Sequence, residues 1–265
     1  MNGLDLWSRL VAYDSFDLAL IQEARSPMDG TVAEVVPSVA EPWTTSGWRS
    51  RSWRTAVAAL SPDLKLRPRK TSAGHEVSAG SFEVSRPGTL TVADVMRDEA
   101  DVLTVASMYG AWESPPGAKR PIYADASAHR LLSDLAQLVT TRRGHRLVLA
   151  GDLNVLYGYG EHGDPYWAGR YQTVFDRATA MGLVFVGPQA PNGRQATPWP
   201  EELPVDGLNV PTFHHSRQSP ATATRQLDFV FASQALADQV QVAALNEVDA
   251  WGPSDHCRVS IRVSV

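Results

Sequence analysis

Four short stretches of this 265-residue chain set beside an apolar run side chains that can move protons or hold a hard cation. They are Ile21-Gln22-Glu23, Gly151-Asp152-Leu153-Asn154, Gln226-Leu227-Asp228-Phe229-Val230-Phe231 and Ser254-Asp255-His256. Carboxylates and an imidazole supply general acids and bases. Hard oxygen donors suit Mg2+ or Mn2+, which bind through one or two carboxylates and keep several waters. Taken singly, each stretch is bland: most glutamates at strand ends are solvated, Gly-Asp-x-Asn is good turn chemistry, and a lone histidine is more often structural. The repetition is what carries information. A buried strand ending in acid and amide groups holds them rigidly, while the following loop admits a substrate.

The elements that would position these groups follow from hydrophobic periodicity. Leu4, Trp7, Leu10 and Val11 recur at helical spacing ahead of the strand that ends at Glu23. Short β-prone pieces at 31–36, 77–84 and 102–108 are separated by Pro, Gly and Ser clusters, with a modest helix expected over 92–99. Residues 127–139 place Leu131, Leu132, Leu135 and Leu138 on one helical face. The run 146–150 then reads as a buried strand delivering Asp152. A second helix is expected at 170–181, and strands at 225–232 and 258–263. The stretch 187–224, rich in Pro, Gly, Asn and Gln, predicts a long surface excursion. No internal repeat or linker marks a boundary, so a single domain is expected over 1–265.

Composition sets limits on function. The formal net charge is −5, so no global positive field holds a polyanion. Cys257 is the one cysteine, which excludes an intramolecular disulfide and a cysteine-rich zinc site. Its place beside His256 invites thiol chemistry, yet a small buried residue opening the last strand is the favoured reading. No membrane span, no secretory leader and no stable protein partner is indicated, so a cytoplasmic setting is expected, with secretion left open if the N-terminus is truncated.

Together the four stretches resemble, in order and spacing, the main signatures of the endonuclease/exonuclease/phosphatase superfamily, which includes the deoxyribonuclease I-like and exonuclease III-like enzymes. The resemblance runs from Gln22 to His256. It implies an α/β fold, a four-layered α-β-β-α sandwich of two mixed sheets flanked by helices, and hydrolysis of phosphate esters with Mg2+ or Mn2+. A phosphodiester is an anion that repels hydroxide, so hydrolysis needs positive charge on the non-bridging oxygens, a base for water and help for the leaving oxygen.

By the same resemblance Glu23 is the principal metal ligand, and Asp255 touches the metal or positions the site. Asp152 orients or deprotonates the attacking water, and Asn154 donates to the phosphoryl oxygen. His256 contacts phosphate and stabilises developing charge, with Asp228 orienting its imidazole and raising its pKa. Tyr109, closing the 102–108 run, would contact phosphate or leaving group. Thr212 and His214 fall in a substrate-side segment, Pro211-Thr212-Phe213, with His129 and His215 as further candidates for the rim.

The pattern departs from the family at its start. A first strand ending in Trp-Asn is missing, and Asn2 matches only the polar position just after it, as a metal-side group. A start placed about ten residues late is the favoured explanation; the alternative is a true variant with a weakened site. Basic stretches at 49–54 and 65–70, near Trp43, Trp48 and Trp53, are the type a nucleic-acid groove uses, although a solvated loop in an Arg-rich chain is the favoured reading. Three functions stand: a phosphodiesterase or nuclease acting on DNA or RNA, a phosphomonoesterase on a small or lipid-derived phosphate, and a binding module that has lost turnover. Retention of Glu23, Asp152, Asn154, Asp228 and His256 disfavours the third.

Overall fold

The computed structural model describes residues 3–12, 15–28, 32, 34–45, 52–69, 71–72, 82–114, 117, 123–139 and 145–264. In chain order the elements are α1 (Gly3–Val11), β1 (Leu18–Ala24), β2 (Glu34–Val36), β3 (Arg54–Ala59), β4 (Lys65–Pro68), β5 (Thr71–Ser72), β6 (Phe82–Glu83), β7 (Leu90–Arg97) and β8 (Ala100–Tyr109). There follow α2 (Ala124–Val139), β9 (Leu147–Asp152), α3 (Pro165–Ala180), β10 (Leu183–Gly187), β11 (Asp228–Ser233), β12 (Val240–Leu245) and β13 (Arg258–Val263). The chain divides into two units, Met1–Tyr109 with Ser133–Gly151, and Gly110–Leu132 with Asp152–Val265.

In the first unit β3 shows how the layers arise. Successive side chains of a strand face opposite sides. Ala56 and Ala58 pack with Trp7, Leu10, Ile21 and Trp43, which brings α1 onto one face of the antiparallel β1-β3-β2 sheet. Val57 and Ala59 turn the other way, onto Leu66, Ala93, Val95 and Val105 of β4, β7 and β8. Each valine or leucine side chain so taken from water contributes about 1.5–3 kcal/mol. The indole N–H of Trp7 donates to the Arg25 carbonyl at 2.8 Å, tying the helix to the end of β1.

The helix expected over 92–99 is instead β7, antiparallel to β4 on one side and to β8 on the other. Its residues from Leu90 to Val95 are all buried, so the alternation that marks a strand is erased. The spacing of Val92, Val95 and Met96 then imitates a helical face.

In the second unit α3 begins at Asp164, whose carboxylate accepts from the Tyr166 amide, with Pro165 in the first turn. It buries Tyr171, Val174, Phe175 and Ala178, and Phe175 stacks with Phe185 of β10 and with Phe229 and Phe231 of β11. Strands β10 and β11 pair antiparallel, and β12 and β13 form a second antiparallel pair whose connection carries Ser254, Asp255 and His256. The excursion at 187–224 is less superficial than expected. Asn209, Val210, Thr212 and Ala223 are buried within it. Asn246 fastens it by accepting from the Arg194 amide and donating to the Arg194 and Pro211 carbonyls, so hydrogen bonds replace regular structure there.

Candidate active site

Strand ends place the reactive groups of the second unit. Asp152 closes β9 and is buried, its Oδ1 accepting from the Asn154 amide at 2.8 Å and its Oδ2 from Asn154 Nδ2 at 3.0 Å. Asn154 Nδ2 also donates to the Gly110 carbonyl at 3.1 Å. The tight turn has a steric requirement: a Cβ on Gly110 would lie 2.3 Å from the Leu153 carbonyl oxygen. Asn154 itself adopts φ 53°, a left-handed conformation that asparagine tolerates because its short side chain bonds locally.

Asp228 opens β11, and its Oδ2 lies 2.8 Å from His256 Nδ1. The other imidazole nitrogen, Nε2, lies 3.9 Å from Asp152 Oδ2, outside direct hydrogen-bonding distance. Burial alone would push this imidazole down; the carboxylates of Asp228, Asp152 and Asp255 outweigh it and raise its pKa to about 10. His256 is therefore a cation at neutral pH. Its amide donates to Ser254 Oγ at 3.1 Å and its ring packs on Phe213 at 5.1 Å.

The structure thus brings Asp152, Asn154, Asp228 and His256 together. Asp255 is exposed beside them, with its carbonyl accepting from the His214 amide at 2.9 Å. His214 is half-buried against Trp251. Thr212, expected to face substrate, is fully buried, so it cannot touch one. Its Oγ1 instead accepts from the amides of Leu227 and Asp228 at 3.0 and 3.1 Å. His129 is half-buried, and its Nε2 pairs with Thr173 of α3 at 3.0 Å. Cys257 is buried, which pushes its thiol pKa well up and leaves it inert, as the sequence suggested. Phe213 and Ser254 lie in stretches that the sequence singled out, but neither had been given a role. Ser254 had a signal, because Ser-x-His offers a hydroxyl to the amide two residues on.

Glu23 and Tyr109 belong to the first unit. Glu23 is exposed at the end of β1 and has φ 53°, where the β1–β3 register slips between Ile21 and Ala24. A glutamate held in the left-handed region is strained, and such strain clusters at functional positions. Gln22 and Ser107 brace it from behind: Gln22 Nε2 donates to Ser107 Oγ at 3.0 Å, and that hydroxyl donates to the Ile21 carbonyl at 2.8 Å. The Tyr109 ring packs edge-on against Trp53 at 4.8 Å. Asn2 lies outside the described residues.

The described cations of the basic stretches are engaged locally. Arg67 and Arg69 both pair with Asp94, and Arg67 also reaches Asp101. Arg54 donates to the Pro42 carbonyl, and Trp43 is a core residue packed on Trp7. Arg49, Arg51, Trp48 and Lys70 lie outside the described residues.

Solved structures of known proteins share this fold over nearly the whole chain. The endonuclease domain of TRAS1, a telomere-specific non-LTR retrotransposon, superposes with TM-score 0.58 at 14% identity, covering 99% of this chain and 93% of that one. An AP endonuclease from Archaeoglobus fulgidus gives TM-score 0.58 at 17% identity over 97% and 92% of the two chains. The chain has the endonuclease/exonuclease/phosphatase fold. The 3'-5' exonuclease NExo from Neisseria meningitidis agrees, with TM-score 0.56 at 18% identity over 98% and 94%. No family model and no curated protein matches the sequence. The α/β class expected from the strand-end signatures is the one found.

Among the described residues no group of three or more His, Cys, Asp and Glu side chains forms a metal cluster. The donor chemistry nonetheless suits Mg2+, which needs only one or two carboxylates and water; Glu23 and Asp255 are both exposed carboxylates. No helix among the described residues is long and apolar enough to cross a membrane.

Proposed function

We propose that this protein is a divalent-metal-dependent phosphoric ester hydrolase, acting on a phosphodiester of nucleic acid. The observation that carries the reading is the His256–Asp228 pair at 2.8 Å with Asp152 Oδ2 3.9 Å from the far nitrogen. That gap suits two groups meeting the same phosphoryl centre, one as cation and one as base. Asp152, held by Asn154, takes the proton of the attacking water. Protonated His256 donates toward a non-bridging oxygen as charge develops, with Asp228 holding its ring. Asn154 would donate to the same oxygens by releasing one of its two Nδ2 contacts, to Asp152 or to the Gly110 carbonyl, and Tyr109 acts on phosphate or leaving group. Glu23, with Asp255 and Asn2 as further candidates, would hold Mg2+ or Mn2+, which supplies positive charge to the phosphate. The fold supports the reading, because solved proteins that share it are named as endonucleases, an exonuclease and a 3' phosphatase.

A second reading, hydrolysis of a small or lipid-derived phosphomonoester, is favoured by the net charge of −5 and by the engagement of Arg67 and Arg69 with Asp94. Both readings are tested by assaying bis-p-nitrophenyl phosphate, p-nitrophenyl phosphate, and plasmid and abasic DNA with Mg2+, Mn2+ or EDTA. Diester and DNA cleavage abolished by EDTA is expected, with Glu23→Gln raising the metal concentration for half activity. Turnover indifferent to EDTA would remove the metal from the account, and monoester cleavage alone would select the second reading.

A further inference from the structure

We infer that Thr212 is a positioning residue that aligns the His256–Asp228 pair without touching substrate. This rests on the proposed hydrolase site. Thr212 is fully buried, and all three of its polar groups are committed to the segments that carry the pair. Its Oγ1 accepts from the Leu227 and Asp228 amides at 3.0 and 3.1 Å, fixing the backbone from which the Asp228 carboxylate leaves. Its carbonyl accepts from the Cys257 amide at 2.9 Å, fixing the residue after His256. Its own amide donates to the Arg225 carbonyl at 2.8 Å, closing the link back to the chain entering β11.

One residue therefore links the two halves of an acid–imidazole contact made by residues 28 positions apart, its hydroxyl on the Asp228 side and its carbonyl on the His256 side. The neighbouring ladder reinforces it: Phe213 donates to the same Arg225 carbonyl at 3.0 Å, and His214 to the Asp255 carbonyl at 2.9 Å. A hydroxyl is needed because an amide pair at a strand entrance requires an acceptor that approaches both N–H groups at once. A valine of similar shape offers none. Without it Asp228 is free to shift relative to His256, and a displacement of about 1 Å at a reacting group can cost up to ~10²-fold in rate.

Thr212→Val and Thr212→Ser distinguish positioning from contact. A residue that binds substrate raises KM when altered, whereas one that aligns the charge-stabilising pair lowers kcat. For Thr212→Val we expect kcat down ~10-fold or more with KM within ~2-fold, and for Thr212→Ser a kcat within ~3-fold of the parent. The low-field imidazole N–H proton resonance of His256, recorded without substrate, should persist in Thr212→Ser and vanish in Thr212→Val. This resonance reads the alignment even if no phosphoester is turned over, so failure of the hydrolase reading is distinguishable from failure of the clamp. Parental kcat and an intact resonance in Thr212→Val would overturn the inference, as would equal loss in both variants. Should the valine variant fail to fold, the serine variant decides: retained kcat supports the clamp, and a loss beyond ~10-fold overturns it.

Discussion

Two clusters in this molecule join acidic side chains to cations at similar distances, and they do opposite things. In the first unit Asp94 accepts from Thr104 Oγ1 at 2.7 Å, Arg67 Nη2 at 2.9 Å and Arg69 Nη2 at 3.1 Å, so both carboxylate oxygens are engaged. In the second, Asp228 satisfies only Nδ1 of His256, and Nε2 stands 3.9 Å from Asp152. A saturated carboxylate is a fastening between strands. A cation whose second nitrogen stands 3.9 Å from another carboxylate, beyond direct hydrogen bonding, keeps capacity for a third party. Charge and burial are thus shared by structural and reactive sites, and the difference lies in which valences are already spent.

The contrast breaks most visibly at His256. His256→Ala should cut turnover by ~10²-fold or more in protein that still unfolds cooperatively, measured by initial rates and thermal unfolding on one preparation. A parental rate would place His256 with Asp94 as a fastening.

The pH dependence separates the clusters next. His256 is held up to about 10, so its stabilising contribution is complete below its ordinary value and disappears as pH rises through about 10. The alkaline limb of the rate profile should lie in the same region. Asp228→Asn removes the largest group raising it, so the limb should fall by more than one pH unit, toward the ordinary histidine range. Asp94 behaves in the opposite sense. Burial alone would raise its carboxyl, but the hydrogen bonds from Thr104, Arg67 and Arg69 outweigh this and hold it below the usual range. Its contribution is present above the ordinary carboxylate value and is lost as pH falls through the lowered one. Denaturant titrations from pH 3 to 10.5 should show loss at both ends, with Asp94→Asn blunting only the acid arm.

Asp94→Ala sharpens the comparison from the structural side. Breaking a buried pair costs about 3–5 kcal/mol, but both arginines are near half exposed, which brings the expected loss to about 2 kcal/mol, on the order of 5 °C in melting temperature. Turnover below the transition should be unchanged. The smallest effect is expected for Arg67→Ala. If its guanidinium is a strand fastening, oligonucleotide affinity and its salt dependence should change by less than ~2-fold. A reduced salt slope would return the 65–70 stretch to a nucleic-acid surface.

The same comparison shows what was legible in the sequence. Asp152 and Asn154 were visible because they follow a hydrophobic run that ends abruptly in polar groups, whereas Asp228 opens β11 and His256 precedes β13, so these two were legible only through the four stretches taken together. β7 was not visible, because a strand buried on both faces and bonded on both edges loses its alternation. Thr212 was placed near the site but on the wrong side of it. Sequence shows that a hydroxyl is present, not that folding will turn it inward onto two amides. Arg67 and Arg69 resembled a groove for the same reason, since their partner Asp94 is more than twenty residues away along the chain. Local composition reports the group and tertiary structure decides its partner.

The most direct test is the rate of bis-p-nitrophenyl phosphate cleavage by Asp152→Asn, with Mg2+ and the parent protein alongside. This change keeps the shape of the side chain at the end of β9 and removes its charge and basicity. Loss of ~10²-fold or more in kcat with an unchanged melting temperature is the predicted result. Cleavage at the parental rate by a folded Asp152→Asn protein would contradict the site as assigned.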